Sequence, residues 1–142
     1  MMDLRNSEHY PDPTAAEALA NVAREERAKA KQYRPLVYIC SPYSGEVEYN
    51  LSRARGYCRL AVGKGYIPLA PHLLFPQFLD DDDSEQRKLG LFFALVLLGK
   101  CEEVWAFGIR ISEGMAREME TATKRCLPIR HFTDKGEEDH DV

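Results

Sequence analysis

The sequence predicts an α/β domain built on a parallel β-sheet. Short apolar segments recur from Leu36 onward, and stretches with the apolar spacing of helices separate them. Strands that alternate with helices in this way pair in parallel through right-handed crossovers. The length of 142 residues fits one domain whose core needs neither disulfides nor metals.

The first predicted element is a helix that precedes the sheet. Pro11–Pro13 interrupts regular structure, Thr14 is a suitable N-cap, and helical composition continues to about Lys31. The apolar line of this helix is thin and consists of Ala15, Leu19, Val22 and Ala23. Such a helix does not bury itself alone, so residues 1–33 are expected to form an extension that docks on the body or on a second subunit.

The predicted body covers residues 34–132 and begins with a strand. Leu36–Cys40 is continuously apolar, as expected for a strand that is buried on both faces. After the turn at Ser41–Gly45, a helix is predicted from about Glu46 to Lys64, where Gly65 ends it. Residues 66–69 form the second predicted strand.

The second half of the body repeats this alternation. Residues 70–83 are predicted to be a loop, and Ser84 is predicted to cap a helix that runs to about Lys100. The third strand is predicted at Glu103–Phe107. A helix from Ser112 to about Arg125 and a final strand at residues 128–132 complete the domain.

The net charge of −4 belongs to the C-terminal tail. Residues 133–142 carry one basic and five acidic side chains, whereas residues 34–132 carry 13 basic and 12 acidic ones. A protein that binds a nucleic-acid strand should show a basic surplus, so this class of partner is excluded. The acidic tail itself is predicted to be disordered.

Composition also limits the location and the cofactors. The longest apolar run, Leu89–Leu98, is shorter than the ~18–20 residues that cross a bilayer, and the N-terminus lacks the apolar region of a signal peptide. The four cysteines are far apart and are interpreted as buried thiols. We therefore expect a cytoplasmic protein with no membrane partner, no metal and no cofactor.

Two loops have the character of ligand-binding loops. Ser41–Gly45 follows the first strand and Gly108–Gly114 follows the third, and both place small or hydroxyl residues before a helix N-terminus, where an anion is favoured. Neither loop matches the patterns of nucleoside triphosphate or dinucleotide sites. The alternative is that Gly45 and Gly114 only permit turns.

Glu118 is the candidate catalytic residue. Met115, Met119 and Ala122 define the buried face of the last helix, and Glu118 lies about 60° from its centre. Helical side chains lean toward the N-terminus, so Glu118 leans over Gly114, which leaves space for a ligand. A carboxylate in this position suits nucleophilic or acid/base work. The alternative is a structural glutamate paired with an arginine.

These motifs resemble those of a known family. Ser112–Ala122, which follows Trp105–Gly108, resembles the G-x-x-x-E-x-x-x-A helix of the nucleoside 2-deoxyribosyltransferase superfamily, and Tyr38–Gly45 is similar to its first strand and loop. Ile67–His72 and Ile111–Met115 further resemble the deoxyribosyltransferase-like domains of phages and bacteria. The resemblance extends over roughly residues 36–132.

The resemblance implies a flavodoxin-like or Rossmann-like three-layer sandwich, with a parallel sheet of four to five strands. It also implies chemistry at an N-glycosidic bond, in which Glu118 attacks C1′ of the sugar and the base departs. Neighbouring subunits in this superfamily often complete each other's sites, so we expect a homodimer or a larger homo-oligomer.

The same resemblance suggests how a substrate binds. Members that act on free nucleosides have an aspartate six residues before the glutamate, whereas relatives that hydrolyse monophosphates have a serine there. Ser112 at this position favours a nucleotide over a nucleoside. The remaining predicted substrate-binding residues are Ser41, Tyr43, Ser44, Gly45, His72 and Gly114.

One residue departs from the family pattern. Ala94 stands where the family usually has an aspartate that helps to protonate the leaving base. A substitute acid would have to come from Asp80–Asp83, Glu85, His72 or a neighbouring subunit. Two alternatives follow: a nucleotide-binding or sensing module without catalysis, and an assembly protein with a vestigial pocket.

Overall fold

A four-stranded parallel sheet forms the centre of the protein. The computed structural model describes residues 13–140. The strands are β1 (Leu36–Cys40), β2 (Ile67–Leu69), β3 (Glu103–Phe107) and β4 (Ile129–Phe132), in the order β2-β1-β3-β4. All the pairings are parallel. The predicted α/β fold with a parallel sheet is confirmed, with four strands in the described residues.

Five α-helices accompany the sheet in the described part of the chain. They are α1 (Pro13–Lys31), α2 (Val47–Gly63), α3 (Pro71–Leu74), α4 (Ser84–Leu98) and α5 (Glu113–Lys124). The described residues fall into two compact units that divide between Tyr33 and Arg34. Helix α1 belongs to the first unit, and its Leu19 and Val22 are about half exposed. None of the helices in residues 13–140 combines the length and the apolarity that crossing a bilayer requires.

The alternation of side chains along the strands produces two cores. Val37 and Ile39 of β1 point to one face, where Tyr57 and Ala61 of α2 cover the sheet. The other face, which α4 and α5 cover, presents Tyr38, Cys40, Val104 and Ala106 against Leu98, Met115 and Ala122. The result is the predicted three-layer sandwich.

Aromatic packing dominates the α2 side. Tyr57 stacks on Phe107 with ring centroids 4.0 Å apart, and Trp105 lies 4.9 Å from Phe132. Such pairs contribute about 0.5–1.5 kcal/mol each beyond the area that they bury. Trp105 and Phe107 are fully buried, so the alternating aromatic residues of β3 belong to the hydrophobic core.

The connections leave the two central strands in opposite directions. From β1 the chain passes through α2 to β2 at one edge, and from β3 it passes through α5 to β4 at the other. In open parallel sheets, ligands bind beyond the carboxyl ends of the strands at such a reversal. The loops after β1 and β3 therefore border a crevice.

The predicted loop over residues 70–83 is wrong in part. It contains α3 and a 3₁₀ turn at Phe75–Gln77. Pro71 occupies the first position of α3, where its fixed φ favours a helical start and its missing N–H costs no hydrogen bond.

Two predicted N-caps are also wrong. Helix α1 begins at Pro13, so Thr14 lies inside it, while Pro11 and Asp12 lie outside the described residues. Helix α4 is capped by Asp83 rather than by Ser84, because the Asp83 carboxylate accepts a hydrogen bond from Glu85 N at 3.0 Å. This bond lowers the pKa of Asp83. An ionised cap also interacts favourably with the helix dipole.

The predicted disorder of the tail is wrong for residues 133–140. Asp139 N donates to His131 O at 2.8 Å, and the Tyr57 hydroxyl donates to Asp134 O at 2.8 Å. Arg130 and Glu138 form a 2.7 Å ion pair. These hydrogen bonds and the ion pair between Glu138 and the partly buried Arg130 hold residues 133–140 against the sheet. Residues 141–142 lie outside the described residues.

The cysteines differ from the expectation at one position. All four are free thiols; Cys40 and Cys101 are buried, and Cys58 is partly buried. Cys126 is exposed, contrary to the prediction, because it follows the end of α5 in a left-handed conformation with φ of 58°.

We expect Arg130→Met to lower the free energy of unfolding by ~1–2 kcal/mol, since it leaves Glu103 and Glu138 without their cation. Arg130 binds Glu138 at 2.7 Å and Glu103 at 3.3 Å, and its guanidinium lies 4.9 Å from the centre of the Trp105 ring. Urea denaturation measures the change. The control is Arg117→Met, which removes only an exposed ion pair at 3.9 Å and should change stability by less than ~0.5 kcal/mol. Equal effects of the two variants would contradict this role of Arg130.

Candidate functional site

A pocket of about 570 Å³ opens at the carboxyl ends of β1 and β3. Seven of the eight residues predicted for the site line it: Ser41, Tyr43, Ser44, His72, Ser112, Gly114 and Glu118. They come from the two loops identified in the sequence, from α3 and from α5. The topology therefore brings together residues that are up to 77 positions apart in the sequence, from Ser41 to Glu118.

Gly45 is the exception. It does not line the pocket, and its φ of 96° forms the turn that leads into α2. Asn50 of α2 holds this loop, because its amide group donates to the carbonyls of Tyr43 and Ser44 at 3.1 Å each. Asn50 therefore holds two pocket residues in place, and no sequence motif indicates this role.

Glu118 lines the pocket beside β1. Helix α5 buries Met115 and Ala122 against the sheet, and Glu118 is partly buried on the flank of that face. Gly114 precedes it by one turn, and a Cβ atom added there would meet nothing within 4 Å. The space directly beside Gly114 is therefore open.

Two side chains of β1 face the Glu118 carboxyl group. The Tyr38 hydroxyl and the Cys40 thiol lie close enough to it for hydrogen bonding to lower the pKa of Glu118. The thiol of Cys40 donates to Met115 O, with Sγ 3.8 Å from that oxygen. Residues at positions i and i+2 of a strand point to the same side of the sheet. The spacing of Tyr38 and Cys40 therefore indicates that both face the same helix layer. The sequence predicts no role for Tyr38 and only a buried thiol at Cys40.

Burial controls the protonation of this cluster. It raises the pKa of Glu118 to about 7, although the hydrogen bonds from Cys40 and Tyr38 act in the opposite direction. Burial likewise raises the pKa of both donors, so Tyr38 and Cys40 keep their protons near neutral pH. Glu118 is thus a carboxyl group that titrates near neutrality between two protonated donors.

Ser41 and His72 form a second polar cluster in the pocket. Ser41 is only 8 % exposed, and its Oγ lies 2.9 Å from His72 Nε2. Burial lowers the pKa of His72 to about 4, so the imidazole is neutral at physiological pH. A neutral imidazole can donate or accept a hydrogen bond, but it does not offer the acidic proton of an imidazolium.

Ser112 is the N-cap of α5 at the pocket. Its Oγ accepts a hydrogen bond from Met115 N at 3.2 Å, which leaves its hydroxyl hydrogen available to donate. The first N–H groups of a helix have no intrahelical partner, and the dipole there favours negative charge. Ser112 and the start of α5 therefore suit an anionic group.

Helix α4 supplies a charged rim that the sequence analysis missed. Arg87 and Lys88 line the pocket together with Arg117 of α5, and Asp81 brings an acidic group from the preceding loop. Asp81 lies close enough to Tyr43 for its charge to contribute to the raised pKa of that phenol, for which burial is the first cause. The rim of the pocket thus carries both signs of charge.

The position of the expected acid is apolar. Ala94 is 7 % exposed and lines the pocket, so no carboxylate points inward from that part of α4. Among the substitutes suggested by the sequence, Asp81 and His72 line the pocket, whereas Asp80, Asp82, Asp83 and Glu85 do not. Within residues 13–140, no group of three or more potential metal ligands comes together.

Comparison with solved structures identifies a similar fold. A 2-deoxyribosyltransferase from the psychrotolerant bacterium Bacillus psychrosaccharolyticus superimposes with a TM-score of 0.54 at 18% sequence identity. The likeness covers 69% of this chain and 72% of the other. At this identity it shows that the two proteins share a fold.

Comparison with curated proteins gave no match. Comparison with protein families matched residues 35–132 to a domain of unknown function, DUF7768. This range contains the whole sheet and every residue that lines the pocket. The chain therefore belongs to the DUF7768 family.

Proposed function

We propose that the protein binds a small nucleoside or nucleotide and cleaves or transfers at its N-glycosidic bond, with Glu118 as the nucleophile. The observation that carries this proposal is the Glu118 carboxyl group, which faces Tyr38 and Cys40 in an open pocket of about 570 Å³. A fold shared with a 2-deoxyribosyltransferase supports the same chemistry.

In the proposed reaction, the Glu118 carboxylate attacks C1′ of the sugar. The bond from C1′ to the base nitrogen breaks, and the base leaves with the bonding electrons and takes up a proton. A glycosyl ester remains on Glu118. Attack on C1′ by water gives hydrolysis, and attack by the nitrogen of a second base gives transfer; both restore Glu118. Tyr38 and Cys40 orient the carboxylate throughout.

A nucleoside monophosphate is the preferred substrate in this proposal. The Ser112 hydroxyl and the first N–H groups of α5 would hold the phosphate, and Ser41, Tyr43 and Ser44 would complete the sugar–phosphate cradle. Arg87 and Lys88, which also line the pocket, would offer cations to that phosphate. Gly45 shapes the loop rather than lining the cradle.

Ala94 favours a second candidate function, a module that binds or senses a nucleotide without cutting it. Departure of the base needs a proton, and the imidazole of His72 is neutral near pH 7 because burial lowers its pKa to about 4. His72 then contacts the base as a neutral hydrogen-bonding group. Of the substitute acids that the sequence suggests within this chain, Asp81 is then the one carboxyl group that lines the pocket.

We further propose that the chain belongs with the deoxyribosyltransferase-like domains of phages and bacteria, that it acts in the cytoplasm, and that it forms a homodimer or a larger homo-oligomer. The motifs at Ile67–His72 and Ile111–Met115 support the first point.

Glu118→Gln should reduce the release of free base at least ~1,000-fold, because an amide is not a nucleophile, while nucleotide binding persists. The experiment incubates the protein with deoxynucleosides, their monophosphates and nicotinamide nucleotides, and separates the free base by chromatography. Glu120→Gln on the exposed side of the same helix is the matched control and should retain full activity. Base release that survives Glu118→Gln would refute the mechanism. A wild-type protein that releases no base but gains thermal stability with a nucleotide would support the sensing module.

The rate of base release should rise with pH and level off above about pH 7, because the nucleophile is the carboxylate and the pKa of Glu118 is about 7. The same shift affects stability. Since folding raises this pKa from 4.5, the folded protein binds more protons between these values, and stability falls as pH rises through the interval.

Glu118→Gln removes this proton linkage. The free energy of unfolding of the variant minus that of the wild type should therefore increase by ~1–3 kcal/mol from pH 5 to pH 8. Urea denaturation at a series of pH values measures the difference. Parallel pH profiles for the two proteins would show that Glu118 titrates normally.

Ser112→Asp should abolish thermal stabilisation by monophosphates and preserve stabilisation by nucleosides. Aspartate is as good an N-cap as serine, so the fold is retained, while its charge repels a phosphate. Ser112→Asn is the matched control, because asparagine also caps helices and carries no charge. Equal binding of a monophosphate by the two variants would place the phosphate elsewhere.

A further inference from the structure

Helix α4 has apolar residues on the side that faces away from the core. Ala94 and Leu98 are buried against the sheet. Leu89, Phe92 and Val96 are 44%, 60% and 42% exposed, and at ~100° per residue they lie on the opposite side of the helix. A surface helix normally presents polar residues on this side, and a helix that is apolar all round is usually buried.

Aromatic rings extend this apolar side beyond the helix. Phe92 lies 6.3 Å from Phe93, Phe93 lies 5.5 Å from Phe75, and Phe75 lies 5.9 Å from Phe78, as measured between ring centroids. Phe78 is itself 62% exposed. We call the set Leu89, Phe92, Phe93, Val96, Phe75 and Phe78 the α4 face. A continuous apolar surface of this kind marks an interaction site.

Charges of opposite sign lie at the two ends of the α4 face. Glu85 is in the first turn of α4 and lies by helical phase on the outward side with Phe92, and the exposed Lys100 follows the C-cap residue Gly99. Glu85 makes an exposed ion pair with Lys88 at 3.7 Å, which leaves its carboxylate accessible. Arg125 adds a second cation near the Lys100 end, where its guanidinium donates to Leu95 O at 2.9 Å.

The sequence positions on this side are symmetric about a point between Phe92 and Phe93. Glu85 and Lys100 are equally distant from it, and so are Leu89 and Val96. A two-fold axis at this point places Glu85 against the partner's Lys100 and Leu89 against the partner's Val96. The face is thus complementary to itself in an antiparallel arrangement, which is what an isologous interface requires.

We infer that the α4 face binds a second copy of this chain, with the two α4 helices antiparallel across that axis. The inference rests on the homo-oligomer proposed above and gives it a surface; it does not depend on the chemistry of Glu118. Two helices of 15 residues, each ~22 Å long, with six residues of the α4 face on each side, form an interface smaller than the ~1,200–2,000 Å² of stable complexes. We therefore expect a dimer that dissociates on dilution.

This arrangement bears on the pocket. Lys88 and Leu91 of the same helix line it. A partner on the α4 face consequently lies beside the pocket mouth, where it can restrict access and limit the size of a ligand.

Sedimentation velocity of the full-length protein over a concentration series tests the interface. The wild type should approach twice the monomer mass of 16.2 kDa, and Phe92→Asp should remain monomeric at every concentration. The matched control is Val62→Asp, which places the same charge at a 43% exposed valine on α2 and should leave the dimer intact. Circular dichroism confirms that both variants are folded. A wild type that is monomeric at all concentrations would overturn the inference.

Charge exchange tests the antiparallel register. Glu85→Lys and Lys100→Glu should each raise the dissociation constant about fivefold at low salt, since each places like charges across the interface. The double variant should return to within about twofold of the wild type, because the opposite charges meet again. Dimers that respond neither to Phe92→Asp nor to charge exchange would refute the α4 face while leaving the proposed homo-oligomer in place. Loss of base release with an unchanged dimer would bear on the proposed function alone.

Discussion

Burial of β1 on both faces is the constraint on which the rest of the structure depends. Because the strand has a layer of helices on each side, its alternate residues must serve two different environments. Val37 and Ile39 meet the apolar side chains of α2, and Tyr38 and Cys40 meet α5. The second pair places the only two side chains of the strand that carry polar hydrogens beside the carboxyl group of Glu118. The strand that forms the middle of the core therefore also supports the candidate nucleophile.

This arrangement explains why Glu118 titrates near neutral pH. An isolated buried carboxylate is costly, and protonation avoids that cost. Hydrogen bonds from Tyr38 and Cys40 offset part of it, so the pKa settles at about 7. Burial of Glu118 raises its pKa, and the two neighbouring donors lower it in part. The chemistry of the site is thus a consequence of how the core is packed, and His72 follows the same rule, since burial keeps its imidazole neutral.

The two faces of α4 differ in how much of their apolar surface is buried. Its inner side packs Ala94 and Leu98 beneath the pocket, and its outer side exposes apolar residues that a monomer leaves in contact with water. Binding of a second copy would remove that apolar surface from water, which favours association. In the C-terminal tail, by contrast, a polar segment is held in place by contacts with the folded body. Its acidic residues look like a solvated segment in the sequence, yet Arg130 fixes Glu138 because that arginine is held between Glu103 and the ring of Trp105.

The sequence by itself determined the alternation of strands and helices, the bounds of β1 and β3, the two pocket loops and the position of Glu118 on the flank of α5, because apolar periodicity and glycine placement are local properties. It did not determine α3, the Asp83 cap or the order of residues 133–140, which depend on hydrogen bonds and ion pairs formed within the folded chain. The tertiary structure alone decided that Tyr38 and Cys40 lie beside Glu118, that Ser41 meets His72, and that Gly45 stays outside the pocket. Each of these contacts joins residues on different elements or sets the direction of a loop, and only the packing of α3 and α5 against the sheet fixes those distances.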